Sequence, residues 1–217
     1  MNHIQSHSFF ERTAFIVAVM IIFVMVPYLL YAGDSSPSTG RIMNVKGEAR
    51  IKKGNTHSWE VAVVGQELQN GDELMTGQGG RVHVLLADES LLQINEKSRF
   101  IIRQVAPTAG WIRMKKFMPV AYEHLKSIYQ LMAGEIWLRN KNLSPSIEIR
   151  TENAVIGIRG TELNLSISNE ETTVLTILRG VVQVWNQTET VELRKGEEVI
   201  ARPGQPWRIA DGPKMKA

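Results

Sequence analysis

The chain has no cysteine, so disulfide frameworks, Cys-ligated zinc, iron–sulfur clusters and thiol nucleophiles are excluded together. Histidine is almost as scarce: the five residues lie at positions 3, 7, 57, 83 and 124, and the one His-x-x-x-His spacing, His3 with His7, falls ahead of the N-terminal apolar run. No serine lies in a Gly-x-Ser-x-Gly turn either, so a nucleophilic triad is not expected. Aspartate and asparagine never take calcium-loop spacing, and no metal or other cofactor is expected. An excess of one charge is missing too. A net charge of +3 on 217 residues is too mild for a general nucleic-acid binder, so no nucleic-acid partner is expected.

What is present is ordinary globular material. With 43% hydrophobic and 22% charged residues, the chain can bury a core as one domain or two small ones. The N-terminus bears on compartment. Arg12 precedes an apolar run from Thr13 to Val26, about 14 residues, and Pro27 stands before Ala32 and Gly33. That pattern matches a cleavable export signal, although Leu30 sits where a small residue is usual. With Pro27 bridged, the stretch 13–32 is about 20 residues long and reaches across a bilayer as an uncleaved anchor. Both readings place the remainder outside the cytoplasm, in the periplasm, and the second adds membrane association through residues 13–32.

Residues 33–40 read as a flexible linker of turn formers, and 41–202 as one β domain. Val82, Val84 and Leu86 alternate with Arg81, His83 and Leu85. Similar alternation covers Ile147–Ile149, Leu163–Ile167, Thr173–Leu178, Val181–Trp185, Thr190–Leu193 and Val199–Ala201. A beat of glycine before a strand recurs at Gly47, Gly71, Gly134, Gly160, Gly180 and Gly196, and each is read as a turn opening a strand. The spacing is too uneven for a repeat array. The expected class is all-β: a single sandwich, roll or short solenoid-like body behind an N-terminal hydrophobic signal or anchor helix. Residues 106–132 break the pattern and read as an irregular insertion, and 203–217 as a C-terminal tail.

Candidate chemistry is sparse. Asp72, and Asp88 with Glu89, are the best carboxylates for acid–base work, but both sit in turns where aspartate caps its own backbone. Arg103, Trp111, Arg113, Lys115, Lys116 and Lys126, with Arg99, Phe117 and Tyr122 among them, form a basic and aromatic patch. Such a patch can grip an anionic polysaccharide or a lipid headgroup by charge and stacking, or stand as a solvated insertion loop. Arg159 reads as a partly buried structural residue tied to backbone carbonyls. It stays protonated and cannot serve as a base. Asn142, Asn164 and Asn186 head Asn-x-Ser/Thr triplets that matter only in a glycosylating secretory pathway.

Three blocks in order carry a family resemblance. The first runs from Trp59 through Gly71, Asp72 and Thr76 to Asp88 and Ser90. The second is Leu131-Met-Ala-Gly134-Glu-Ile-Trp137. The third is Ile149 through Gly157-Ile-Arg159-Gly160-Thr161, followed by Arg179-Gly180-Val and Lys195-Gly196-Glu. Over residues 40–201 the chain resembles the FecR-type domain family of bacterial extracytoplasmic proteins. The resemblance implies an all-β domain outside the inner membrane, with the motif residues structural rather than catalytic. Its best-known members are regulators in iron-uptake signalling that carry a cytoplasmic anti-sigma domain. The twelve residues before the apolar run are too few for such a domain, so the regulatory role is not carried over. The expected function is a non-enzymatic envelope module that binds a protein or an anionic polymer. Transmembrane signalling is the alternative, and a carbohydrate-active enzyme using Asp72 or Asp88 comes last.

Overall fold

The computed structural model describes residues 38–103, 127–141, 143, 147–168 and 170–212. The chain divides into two units, 1–37 and 38–217, and the first lies outside the described residues, as does the expected N-terminal helix. Among the described residues every regular element is a strand, and none forms a helix able to cross a membrane. The all-β expectation therefore holds.

Among the described residues seventeen strands follow one another, and backbone pairing sorts them into two ladders. One ladder holds β1 (Gly40–Lys46), β4 (Glu67–Leu68), β6 (Arg81–Leu86), β7 (Leu91–Ile94), β12 (Glu162–Ile167), β13 (Thr173–Arg179), β16 (Glu197–Ala201) and β17 (Arg208–Asp211). The other holds β2 (Ala49–Lys52), β3 (Trp59–Val61), β5 (Glu73–Thr76), β8 (Arg99–Arg103), β10 (Ile147–Arg150), β11 (Val155–Ile158), β14 (Val181–Trp185) and β15 (Thr190–Arg194). The strand between the two halves of the sequence, β9 (Ser127–Arg139), belongs to both. Its first half pairs antiparallel with β8 and parallel with β10, and its second half pairs with β7 and β12. All strands thus join in one open sheet that crosses from ladder to ladder at Gly134.

The alternation seen in the sequence decides which face is buried. In β6 the valines at 82 and 84 and Leu86 point inward while Arg81 and His83 stay exposed. Ile51, Leu74 and Phe100 from one ladder meet Leu92, Leu138, Leu165 and Leu175 from the other in a single core cluster. Each fully buried side chain of this size contributes about 1.5–3 kcal/mol of transfer free energy. Phe100 stacks on Tyr129 with ring centroids 5.6 Å apart. Burial pushes the Tyr129 phenol up to about 12, so it enters the core as a neutral group.

Several boundaries move. Gly40 already pairs with Leu86 and Thr39 is buried, so the body begins inside the expected linker. Strand β9 takes up residues 127–132 of the expected insertion, and β17 lies in the expected tail, paired with β16. Five of the six beat glycines do open strands. Gly134 does not: it sits within β9 at φ +83, where the strand bends from one ladder into the other.

Candidate functional site

The motif residues gather into two structural knots. In the first, Gly71 leads into Asp72, which is 1% exposed at the start of β5. One carboxylate oxygen of Asp72 accepts the Gly54 N–H (3.1 Å), and the other accepts the Gln69 N–H (2.9 Å) and Lys53 Nζ (2.7 Å). This carboxylate closes two turns, and both oxygens are occupied. At the far end of β5, the buried Thr76 donates its hydroxyl to the Asn95 carbonyl and accepts the Ser98 N–H at 3.0 Å. Ser98 in turn accepts the Glu135 N–H at 2.9 Å, which fixes the turn before β8 against the bend in β9.

The second knot explains the Arg-Gly-Thr signature. Asn140, 3% exposed just past β9, donates its amide to Asp88 (2.9 Å) and to the Ser90 hydroxyl (2.8 Å). Its side-chain carbonyl accepts the Gly160 N–H at 2.9 Å, and its backbone N–H reaches the Thr161 carbonyl at 2.8 Å. The Thr161 hydroxyl is shared between the carbonyls of Arg159 (3.0 Å) and Val181 (3.1 Å). A Cβ on Gly180 would come within 2.7 Å of the Gly160 carbonyl, so the loop between β13 and β14 closes only over glycine. Asp88 also accepts the Ser90 N–H at 3.1 Å, the turn role expected of it. Nothing in the sequence marks Asn140, a lone amide after a strand, yet it joins the turn after β6 to the loop before β12. Gly196, between β15 and β16, sits in a turn of its own at φ +86.

Arg159 differs from its expectation. It is exposed rather than partly buried, although its guanidinium does donate to a backbone carbonyl, that of Leu143. His83 lies on an exposed strand face and shares a hydrogen bond with Gln93 at 3.0 Å.

Two buried glutamates on the outer face of the second ladder behave oppositely. Burial pushes Glu73 up, but Arg99 and Lys52 (Nζ at 2.6 Å) more than offset it, and its carboxyl lies below its ordinary value. Glu148 is 0% exposed, with Ile128 of β9 and Gly157 of β11 as its register partners. The Trp185 ring lies so close over Gly157 that a Cβ there would come within 2.9 Å of it. Burial pushes Glu148 up, and Arg150 on one oxygen only partly counters this, while the other oxygen has no hydrogen-bond partner.

Of the expected basic patch, the structure describes Arg103, exposed at the end of β8. Trp111, Arg113, Lys115, Lys116 and Lys126 lie outside the described residues. Strands β8 and β9 nevertheless bracket that stretch: Arg103 pairs with Ile128, so the connection 104–126 leaves and re-enters the sheet at neighbouring positions. Among the described residues no group of three or more histidine, aspartate or glutamate side chains could hold a metal.

Motif residues that tie turns together inside an open all-β sheet define a domain of structural signature. The family model described as FecR protein matches residues 72–183, and the chain belongs to that family. Two crystal structures of a candidate anti-sigma factor from Parabacteroides distasonis are similar to it, at 16% identity with a TM-score of 0.49 and 15% identity with 0.50. Each match covers 64% of this chain and 59% of the other, so the chain spans about three-fifths of the length of those structures. A cell surface anchoring domain is similar at 22% identity, with a TM-score of 0.28, over 30% of this chain and 83% of that one. No curated protein matches the sequence.

Proposed function

We propose that this FecR-family chain is an exported, non-enzymatic recognition module of the cell envelope that binds an anionic polymer through the connection between β8 and β9. One observation carries the reading. Arg103 at the end of β8 pairs with Ile128 at the start of β9, so the stretch 104–126, far longer than a hairpin turn requires, joins two neighbouring positions of the ladder. Connections of that length between neighbouring strands are commonly binding loops. In sequence this connection carries the cations Arg113, Lys115, Lys116 and Lys126 with Trp111 just ahead of them, and exposed Arg103 stands at its start. The engagement of Asp72 and Asp88 in turns supports a role without acid–base chemistry.

Changing Arg113, Lys115 and Lys116 together to alanine should reduce retention on an immobilised anionic polysaccharide. The difference should be largest at low ionic strength, since exposed charges are screened as salt rises. Equal retention of parent and variant overturns the reading.

Family membership favours a second reading, in which an intact N-terminal helix relays an outside event to a cytoplasmic partner. N-terminal sequencing of the mature protein separates the two. A start at Gly33 removes the relay and leaves the exported module.

A further inference from the structure

We infer that the cleft between the turn after β6 and the end of β9 binds a carboxylated sugar of an envelope glycan. The inference rests on the recognition reading above but assigns the ligand to a different surface. The cleft measures about 500 Å³ and is lined by Ala87, Asp88, Glu89, Leu91, Arg139 and Lys141. Its charges are not equally available. Asp88 is engaged by Ser90 and Asn140 and the Nε of Arg139 by Glu162, so the cleft presents Glu89, Lys141 and the outer edge of the Arg139 guanidinium to a ligand.

Arg139 is held in place before any ligand arrives. Its guanidinium lies 5.3 Å from the Trp137 ring centroid, and Nε donates to Glu162 at 3.2 Å. These contacts fix the guanidinium plane and leave the terminal nitrogens for a carboxylate, which arginine takes in paired hydrogen bonds. Lys141, exposed two residues on, adds a second positive group to the same wall.

Glu89 has φ +65, a left-handed conformation that disfavours a side chain by about 1 kcal/mol and that glycine adopts without cost. Glu89, exposed at the cleft wall, supplies an acceptor for hydroxyl donors. Leu91, 41% exposed, offers an apolar floor for the C–H face of a sugar ring. A carboxylate for the two cations, hydroxyls for Glu89 and an apolar ring face together describe a uronate. Beyond the cleft, Gln93 and Asn164 flank Trp137 in register on the outer face of the first ladder, placing amides where neighbouring sugars would lie.

The test is affinity electrophoresis of the full chain through gels containing polygalacturonate or uncharged dextran. Polygalacturonate should retard the parent and dextran should not. Lys141→Glu and Glu89→Gly should each weaken retardation about tenfold, the scale of one lost charge-assisted contact. Glu89→Gly should do so with an unchanged or raised Tm, because it also relieves the left-handed backbone. Retardation that both variants retain in full overturns the cleft, as does a parent that polygalacturonate fails to slow. Retention lost only on changing Arg113, Lys115 and Lys116 to alanine overturns the cleft while upholding binding through the β8–β9 connection.

Discussion

Glu73 and Glu148 lie on the same face of the same ladder, and their chemistry differs because of how many cations each meets. Glu73 bridges Lys52 and Arg99, so its carboxylate form is favoured in the folded state. A carboxyl with a lowered folded-state value stabilises the fold above its unfolded value and loses that contribution as pH falls through the folded one. Glu73→Gln should therefore cost about 1–2 kcal/mol near pH 7, with half-exposed Arg99 limiting the loss, and the difference should shrink on acidification below the carboxylate range. Glu148 has one cation and an oxygen without a partner, and its folded-state value is raised. The sign reverses: the folded protein binds the proton more tightly, so this group disfavours folding once pH has risen through the folded value. Glu148→Gln should gain about 1 kcal/mol near pH 7, and that gain should fade as pH falls into the carboxylate range. Urea titrations of both variants at pH 4 and pH 7 check the pair, and two variants moving in the same direction would contradict this assignment.

At the scale of elements, β9 decides the topology, and its turning point is a glycine with two separate constraints. A Cβ on Gly134 would lie 2.5 Å from the Ser98 Cα and 2.7 Å from the Lys97 carbonyl, which are backbone atoms that cannot step aside. Gly196 has almost the same backbone angle, φ +86 against +83, but open space around it. Alanine at 196 should thus cost about 1 kcal/mol for conformation alone, and alanine at 134 at least about 3 kcal/mol. Chemical denaturation of the two variants makes the comparison. Equal losses would mean that the contact with Ser98 does not hold the bend. This pair also marks what the sequence makes legible. Alternation of period two shows that β6, β12, β13 and β14 are strands and which residues they bury, because burial acts on each residue locally. It does not show which ladder a strand joins, so Gly134 reads like any other turn glycine. Strand β17 escapes notice because Arg208–Asp211 is an edge with little buried surface to impose a pattern. Glu148 reads as the outward member of Ile147–Ile149, since nothing in a strand's own alternation reveals that its outer face is covered. Among the site residues, Asp72 and Asp88 are legible as turn chemistry, whereas Asn140 and Arg139 take their roles from partners distant in sequence.

For the β body as a whole, the shared strand has a mechanical consequence. Ladders joined only by loops could each melt alone, but here β9 contributes hydrogen bonds to both, and a single core cluster takes side chains from both. Melting either ladder would strip β9 of its partners on that side and expose the apolar face of the other. The Asn140 knot adds a tie between the two halves of the sequence, from the turn after β6 to the loop before β12. The described body should therefore unfold in one transition. Leu74→Ala in β5 and Leu175→Ala in β13 remove fully buried side chains from different ladders and from different halves of the sequence. Each should cost about 2–5 kcal/mol, and each should move the entire transition to lower denaturant, with circular dichroism and tryptophan fluorescence tracing the same curve. Two resolved transitions, or a substitution that shifts one probe and leaves the other in place, would show that the ladders are separable and that β9 does not couple them.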